Sequence, residues 1–243
     1  DNDLPLPEEI RTFGFETARE LGTRIVMNLM EEALTGHRWY LVVTMGRKAG
    51  HLALGIGKSS GATITLIPEE WAGREIRLQE VVDILTTSML KRFAEGKPYG
   101  VALVAEGVVE QMSRQDLDML DDVERDAHGH ILLSEINFSD ILKKTLRKQL
   151  QELGIHERII NKDMGYELRC ADPIAFDIDY TRSLGEAAVS YLLEGGSEAT
   201  ITIQQNQVVP MPFEKMMDPE TGRMEIRQVN IDSFTYCSAY KFM

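Results

Sequence analysis

The first half of the chain alternates between short apolar runs and longer segments with helical periodicity. The apolar runs span residues 38–44, 61–68 and 100–107, and they are rich in β-branched and aliphatic side chains. Continuous runs of this kind are typical of strands that are buried on both faces. Residues 15–34 and 76–95 instead repeat apolar side chains at helical spacing. This order predicts an α/β fold with a parallel sheet flanked by helices.

The second half predicts more helices and a pair of short strands. The predicted elements are a helix over 140–153, a short strand and loop over 164–173, a helix over 183–196, and strands over 199–204 and 207–213. Asn137 and Ser139 are both available to cap the first of these helices. A polar Gln-Asn turn separates the two last strands.

The composition argues against two classes of partner. The 243 residues are 43% hydrophobic, which suffices for one large core or two smaller ones. A net charge of −13 argues against nucleic acid, because a duplex is bound through a basic surface. No apolar run approaches the roughly 20 residues of a membrane span, so we expect no membrane partner and a cytoplasmic location. The two cysteines, Cys170 and Cys237, favour a thiol-reducing compartment over a disulfide framework.

Charged residues follow the predicted strands where a parallel sheet binds its ligands, which is outside the carboxyl ends of the strands. The residues at these ends include Gly46, Arg47, Glu106, Tyr166 and Arg169. We expect a helix to begin at Gly46 and to offer unpaired N–H groups. The two arginines can neutralise a phosphate, and Glu106 can accept hydrogen bonds from sugar hydroxyls. The pattern therefore indicates a sugar-phosphate ligand.

Simpler interpretations compete at neighbouring positions. Arg47 and Lys48 could simply extend from a helix start into water, although a cation there opposes the helix dipole. His51 lies in an apolar helical run and is interpreted as a packed residue rather than a ligand. For Glu69 and Glu70, charge at a helix entry ranks ahead of a catalytic role. The Asp- and His-containing stretch 121–130 lacks metal-ligand spacing, so a solvated acidic helix and turn is favoured over a metal site.

Four stretches resemble the phosphofructokinase family, and its pyrophosphate-dependent branch more than its ATP-dependent one. They are "DNDLPL" with "TFGFETA", "RWYLVVTMGRKAGHLAL", "GVALVAEG" and "GYELRCADPIAFDIDYTRSLGEAAV". The resemblance implies the Rossmann-like phosphofructokinase fold and transfer of a phosphoryl group from pyrophosphate to the 1-hydroxyl of fructose 6-phosphate, with Mg²⁺ as cofactor. The alternatives are an ATP-dependent enzyme, a kinase for sedoheptulose 7-phosphate, and a non-catalytic regulatory subunit that binds a sugar phosphate.

The resemblance also implies roles for residues at the start of the chain and after the first strand. Asp1 falls on the catalytic base, which takes the proton from the attacking sugar hydroxyl, and Asp3 lies near the metal. Met45, Gly46 and Arg47 match the sugar-binding segment. Arg47 is also placed to steady charge on the transferring phosphoryl group.

Further along the chain, the resemblance assigns residues to the sugar and its phosphate. Glu106 matches the acid that holds the sugar, and Arg169 matches a ligand of the 6-phosphate. Tyr166 stands where ATP-dependent bacterial enzymes carry a histidine, a change associated with the pyrophosphate branch.

One assignment reaches across a subunit interface. Arg38 matches an arginine that contacts the sugar phosphate of a neighbouring subunit, which implies a homodimer or homotetramer. A second arginine of this kind would fall near Ile160, so Lys162 or Arg158 would have to replace it.

The resemblance further implies a division of the chain into segments. These are 1–14 as the end of the donor domain, 15–168 as the sugar-phosphate domain, and 169–243 as the segment that returns to the donor domain. The family's Gly-rich donor loop would lie upstream of Asp1. We therefore expect a C-terminal fragment that is inactive by itself.

Overall fold

The computed structural model of the chain describes residues 5–7, 9–71, 73–118, 137–224 and 226–242. Its sheet consists of four parallel strands in the order β2-β3-β1-β4. They are β1 (Trp39–Thr44), β2 (Ile64–Leu66), β3 (Gly100–Ala105) and β4 (Ile159–Met164). All residues of β1 and β3 are buried, as the continuous apolar runs predict. The predicted parallel sheet is confirmed.

The helices that the structure describes vary from single turns to more than five turns. They are α1 (Phe15–Gly36), α2 (His51–Ser60), α3 (Leu78–Ala94), α4 (Gly107–Glu110), α5 (Arg114–Asp118), α6 (Phe138–Glu152), α7 (Tyr166–Arg169), α8 (Ala175–Leu193) and α9 (Phe234–Ala239). Short 3₁₀ helices form at Pro68–Trp71 and Phe213–Met216.

The two faces of the sheet pack against different helices. Trp39, Leu41 and Val43 belong to one apolar core together with buried residues of α3 and α6. Tyr40 and Val42 belong to a second core together with buried residues of α1 and α2. This alternation follows from the two-residue repeat of a strand. The sheet is therefore covered on both faces, as predicted.

The second half departs from the sequence-based prediction in two places. The strand predicted within 164–173 is wrong, because β4 ends at Met164 and residues 166–169 form α7. The sequence of β4 is IINKDM. It lies at the edge of the sheet, where polar residues are tolerated, so it lacks the continuous apolar run that predicts a buried strand. The predicted helix over 183–196 begins earlier, as α8 at Ala175.

Two local predictions in the second half are confirmed. Asn137 caps α6, since its side-chain oxygen accepts a hydrogen bond from the Asp140 N–H at 3.1 Å. β5 (Ala199–Gln204) and β6 (Gln207–Pro212) form an antiparallel hairpin. Gln205 and Asn206, which join them, have φ of 50° and 61°, as a tight hairpin turn with the twist of the strands requires. The division into 1–14, 15–168 and 169–243 stays a prediction.

Two expectations from the composition can be compared with the described ranges. None of the helices there is both long and apolar enough to cross a membrane. Cys170 and Cys237 are free thiols, and both are exposed.

Asp177 of α8 connects the start of α1 to the second half of the chain. One of its carboxylate oxygens accepts the Gly14 N–H at 2.7 Å, and the other accepts the Thr17 N–H at 2.9 Å and the Thr17 hydroxyl. The side chain is 2% exposed, so these donors would otherwise be buried without partners.

We predict that Asp177→Ala lowers the free energy of unfolding by about 2 to 4 kcal/mol, because it leaves several N–H and O–H donors at the start of α1 unsatisfied. Urea denaturation followed by circular dichroism measures the change. The matched control is Asp179→Ala, which removes an exposed carboxylate from the same helix. Equal effects of the two substitutions would contradict this role of Asp177.

Candidate active site

The carboxyl ends of three strands meet at one edge of the sheet. Thr44, the last residue of β1, is paired with Ala105 of β3 on one side and Met164 of β4 on the other. The Met45 N–H donates to the Met164 carbonyl at 2.9 Å, and the Glu106 N–H donates to the Thr44 carbonyl at 2.9 Å. The segments that follow β1, β3 and β4 therefore begin side by side.

Two glycines allow the segments after β1 and β3 to touch. The Gly107 N–H donates to the Gly46 carbonyl at 3.0 Å. Gly46 has a φ of 136°, a conformation that residues with a side chain rarely adopt. A Cβ atom on Gly107 would lie 2.7 Å from the Arg47 carbonyl oxygen and 3.0 Å from that of Gly46. Main chain thus approaches main chain here, directly beside Arg47 and Glu106.

Arg47 is paired with an acid that the sequence analysis did not single out. Its Nε lies 2.9 Å from Glu110 Oε1, and the Arg47 side chain is 52% exposed. Glu110 ends α4, the single turn that follows β3, and it is 63 residues away from Arg47 in the chain. No local pattern indicates such a pair. Only the register of β1 with β3 brings the two residues together.

The expectation that a helix begins at Gly46 is wrong. α2 begins at His51, and Gly50 occupies its N-cap position. Arg47 consequently lies in a loop ahead of the helix, not in its first turn. The unpaired N–H groups of the helix start are not offered at Arg47 in the way that the sequence pattern suggested.

Tyr166 and Arg169 follow β4 at the same edge. They are the first and last residues of α7, and both are exposed, Tyr166 to 79%. Lys162 lies within β4, and its Nζ is 3.1 Å from Glu167 Oε1. The edge thus brings together Met45, Gly46, Arg47, Glu106, Tyr166 and Arg169.

Arg38 lies at the other end of β1. Its Nη1 is 3.1 Å from Glu32 Oε1, and its Nε donates to the Gly36 carbonyl. Six residues of strand separate it from the segment at Met45, which is a span of roughly 20 Å. Arg158 lies beside it, because the Trp39 N–H donates to the Arg158 carbonyl at 3.0 Å. The structure does not bring Arg38 together with Arg47.

Asp1, the predicted base, and Asp3, the predicted metal ligand, lie outside the described residues. The stretch 121–130 also falls in an undescribed part of the chain. Among the residues that are described, no group of three or more His, Cys, Asp or Glu side chains could hold a metal ion.

Glu69 and Glu70 lie in the first turn of the 3₁₀ helix Pro68–Trp71, as the helix-entry interpretation predicts, but Glu69 is buried, at 9% exposed, and Glu70 is partly buried. The Tyr240 hydroxyl donates to Glu70 Oε1 at 2.8 Å and lies 2.8 Å from the Tyr236 hydroxyl. Burial raises the pKa of Glu70 to about 7, and the charge of Glu69 adds to the shift, although the tyrosine hydrogen bonds oppose it.

The comparisons with known proteins agree with this architecture. A parallel sheet that gathers cations and carboxylates at its carboxyl edge defines a class of α/β proteins that bind ligands there. The chain belongs to the phosphofructokinase family, whose profile, described as "Phosphofructokinase", matches residues 1–192.

Curated relatives match the chain from end to end. It is 45% identical over 252 residues to a pyrophosphate–fructose 6-phosphate 1-phosphotransferase of Naegleria fowleri. It is 46% identical over 248 residues to a protein of the same name from Thermotoga maritima. Both alignments cover 100% of this chain, which spans 58% and 59% of the length of these relatives.

Solved structures support the fold. A pyrophosphate-dependent phosphofructokinase from Marinobacter aquaeolei aligns with a TM-score of 0.66 and 16% identity, over 98% of this chain and 56% of that one. Phosphofructokinase from Pichia pastoris in the T-state aligns with a TM-score of 0.60 and 23% identity, over 88% of this chain and 20% of that one.

We predict that the contribution of Glu70 to stability decreases as the pH rises. Because its pKa in the folded state is about 7, above the ordinary 4.5, the folded state retains a proton that the unfolded state loses. This stabilisation is complete below the unfolded pKa and is lost as the pH rises through the folded pKa. Between about pH 5 and 8, the free energy of unfolding should fall by about 2 kcal/mol more in the wild type than in Glu70→Gln.

Urea denaturation at several pH values measures both profiles. Their difference removes the contribution of other groups, including His51, whose pKa burial and the charge of Arg227 lower to about 4. Parallel profiles for the two proteins would contradict a proton held on Glu70.

Proposed function

We propose that this chain is part of an enzyme that transfers a phosphoryl group from pyrophosphate to the 1-hydroxyl of fructose 6-phosphate. The observation that carries the proposal is the convergence of Gly46, Arg47 and Glu106 at one sheet edge, next to Tyr166 and Arg169. The relatives that are 45% and 46% identical bear the name of this activity. Since the chain spans less than two thirds of their length, the activity belongs to the complete protein.

The sugar phosphate is bound by residues that follow three different strands. Glu106, which follows β3, accepts hydrogen bonds from sugar hydroxyls, and Arg169 of α7 binds the 6-phosphate through its planar fork of donors. Tyr166 lies on the same turn as Arg169 and adds a hydroxyl and an apolar ring surface. Gly46 leaves room for the ligand to approach the main chain, because it has no side chain.

Arg47 stabilises the charge of the transferring phosphoryl group. A guanidinium carries five N–H donors, so pairing of Nε with Glu110 is compatible with phosphoryl oxygens bound at the other nitrogens. The ion pair also fixes the orientation of a side chain that is half exposed. Fixed positive charge near the equatorial oxygens is what phosphoryl transfer requires from a protein.

The roles at the start of the chain rest on the resemblance. Asp1 takes the proton from the sugar hydroxyl as the hydroxyl attacks, and Asp3 would help to hold Mg²⁺. The bound cation would neutralise charge on the donor phosphates.

A neighbouring subunit completes the sugar-phosphate site. The separation of Arg38 from the edge that carries Arg47 supports this proposal, because one chain cannot bring both to one ligand. Arg158, beside Arg38 at the same end of β1, is better placed than Lys162 to be the second cation, since Lys162 lies within β4 and pairs with Glu167. The protein is then a homodimer or homotetramer, and we place it in the cytoplasm.

The complete gene product tests the donor and the acceptor directly. We expect fructose 1,6-bisphosphate to form from fructose 6-phosphate and pyrophosphate, with much lower kcat/KM when ATP replaces pyrophosphate or sedoheptulose 7-phosphate replaces the sugar. A coupled assay of each pair measures this. Preference for ATP or for the larger sugar would assign the enzyme to the alternative, and no turnover with any pair would favour a regulatory subunit.

The role of Arg47 is tested by Arg47→Ala, which removes a charge that acts in the transition state. We expect kcat to fall about 10²- to 10³-fold, the usual loss for one charge-stabilising donor. Lys48→Ala is the matched control, since it removes the adjacent exposed cation and should leave kcat within about twofold. Unchanged kcat in Arg47→Ala would refute the role.

A further inference from the structure

Three successive residues near the C-terminus, Arg227, Gln228 and Val229, bind three segments that lie far from them in the sequence. Arg227 Nη1 donates to the carbonyls of Ile10 at 2.8 Å and Pro7 at 3.3 Å. The Gln228 side chain donates to the Lys48 carbonyl at 2.9 Å. This part of the chain follows residue 192, where the family match ends, so the family profile assigns no role to it.

Glu69 joins Val229, the third of these residues, to residues 45–50, here called the Arg47 loop. Its Oε1 accepts the Val229 N–H at 3.0 Å and the Gly50 N–H at 2.9 Å. Gly50 ends the loop that begins at Met45 and provides the N-cap position of α2. One carboxylate oxygen therefore holds the end of the Arg47 loop and the C-terminal segment together.

The environment of Glu69 leaves this carboxylate little freedom. The side chain is 9% exposed, and Oε2 is buried without a hydrogen-bond partner among the described residues. A Cβ atom on Gly50 would lie 2.8 Å from Oε2 and 2.4 Å from the Cβ of Ile67. A buried carboxylate with one unpartnered oxygen is costly, so the two N–H bonds to the other oxygen are what keep it in place.

We propose that Arg227, Gln228, Val229 and Glu69, here called the C-terminal clasp, position the Arg47 loop relative to the N-terminal segment. The inference rests on the proposed function. Pro7 and Ile10 lie on the segment that leads from Asp1 and Asp3, and Lys48 is adjacent to Arg47. The clasp thus connects the segment of the proposed base to the loop of the proposed phosphoryl-binding arginine.

The energetic reason is alignment. Phosphoryl transfer depends mainly on positioning, and a displacement of about 1 Å can cost about a hundredfold in rate. Arg47 lies in a loop and not in a helix, so its main chain needs support from outside the loop. Glu69 and Gln228 give that support at two points, Gly50 and Lys48. They are positioning residues, because each contacts the main chain of the loop, and Glu69 is buried.

The decisive comparison is between Glu69→Ala and Glu69→Gln in the complete gene product. Alanine removes both acceptor bonds, and we expect kcat/KM for fructose 6-phosphate to fall about ten- to hundredfold. Glutamine keeps an oxygen that can accept both N–H groups, so kcat/KM should return to within about threefold of the wild type. Hydrogen exchange of peptides covering residues 45–50 should accelerate with alanine and stay slow with glutamine.

Gln228→Ala provides a second variant, because its exposed side chain is not needed for folding of the core. We expect kcat/KM to fall about fivefold, the equivalent of one hydrogen bond, with faster exchange at residues 45–50. Asn230→Ala is the matched control, since its side chain accepts the Asp232 N–H within its own turn. It should change neither quantity.

The outcomes separate the clasp from the proposed function. If Glu69→Ala and Gln228→Ala keep wild-type kcat/KM, or if exchange at residues 45–50 does not change, the clasp proposal is overturned. If the wild type shows no phosphotransferase activity, the proposed function fails, and the exchange measurements alone still decide whether the clasp holds the loop. Equal loss in Glu69→Ala and Glu69→Gln would overturn positioning in favour of a role for the charge.

Discussion

Burial of β1 on both faces is the constraint on which the rest of the structure depends. All six of its residues are buried, so its main-chain groups must find partners within the protein. β3 and β4 supply them in register, from Trp39 at one end to Thr44 at the other. Three strands therefore end together, and the segments that follow have to meet. Residues more than 100 positions apart, such as Met45 and Met164, become neighbours for this reason.

Carboxylates from other segments accept hydrogen bonds from the backbone N–H groups at the starts of α1, α2 and α3. The N-cap residues of α1, α2 and α3 form no side-chain cap bonds within the described part of the chain. Asp177 accepts from the start of α1, Glu69 from that of α2, and Asp116 from the Leu78 N–H of α3 at 3.0 Å. Negative charge at a helix start also interacts favourably with the helix dipole. Part of the acidity of the chain thus serves to join its segments.

Local patterns predicted most of the fold, and non-local contacts explain what they missed. The buried strands carry continuous apolar runs, and the hairpin turn at Gln205 and Asn206 has the polar residues that such turns favour. The sequence pattern did not predict β4 because this strand lies at the edge of the described sheet, with β1 on one side. Polar residues are tolerated there. The Arg47–Glu110 pair and the bonds to Glu69 depend on register and on the path of the C-terminal segment. No spacing along the sequence contains that information.

The contact between Gly46 and Gly107 limits which substitutions this edge of the sheet can accept. The carbonyl oxygens of Arg47 and Gly46, together with the Pro68 ring, occupy the space that a methyl group on Gly107 would need. A change there would push apart two loops that the sheet register holds together. Outward-facing positions around this crossing, such as Tyr166, can accept a larger or smaller side chain because the side chain meets solvent. Gly107 therefore fixes the closest approach of the two loops, while the exposed positions around it can change without moving either loop.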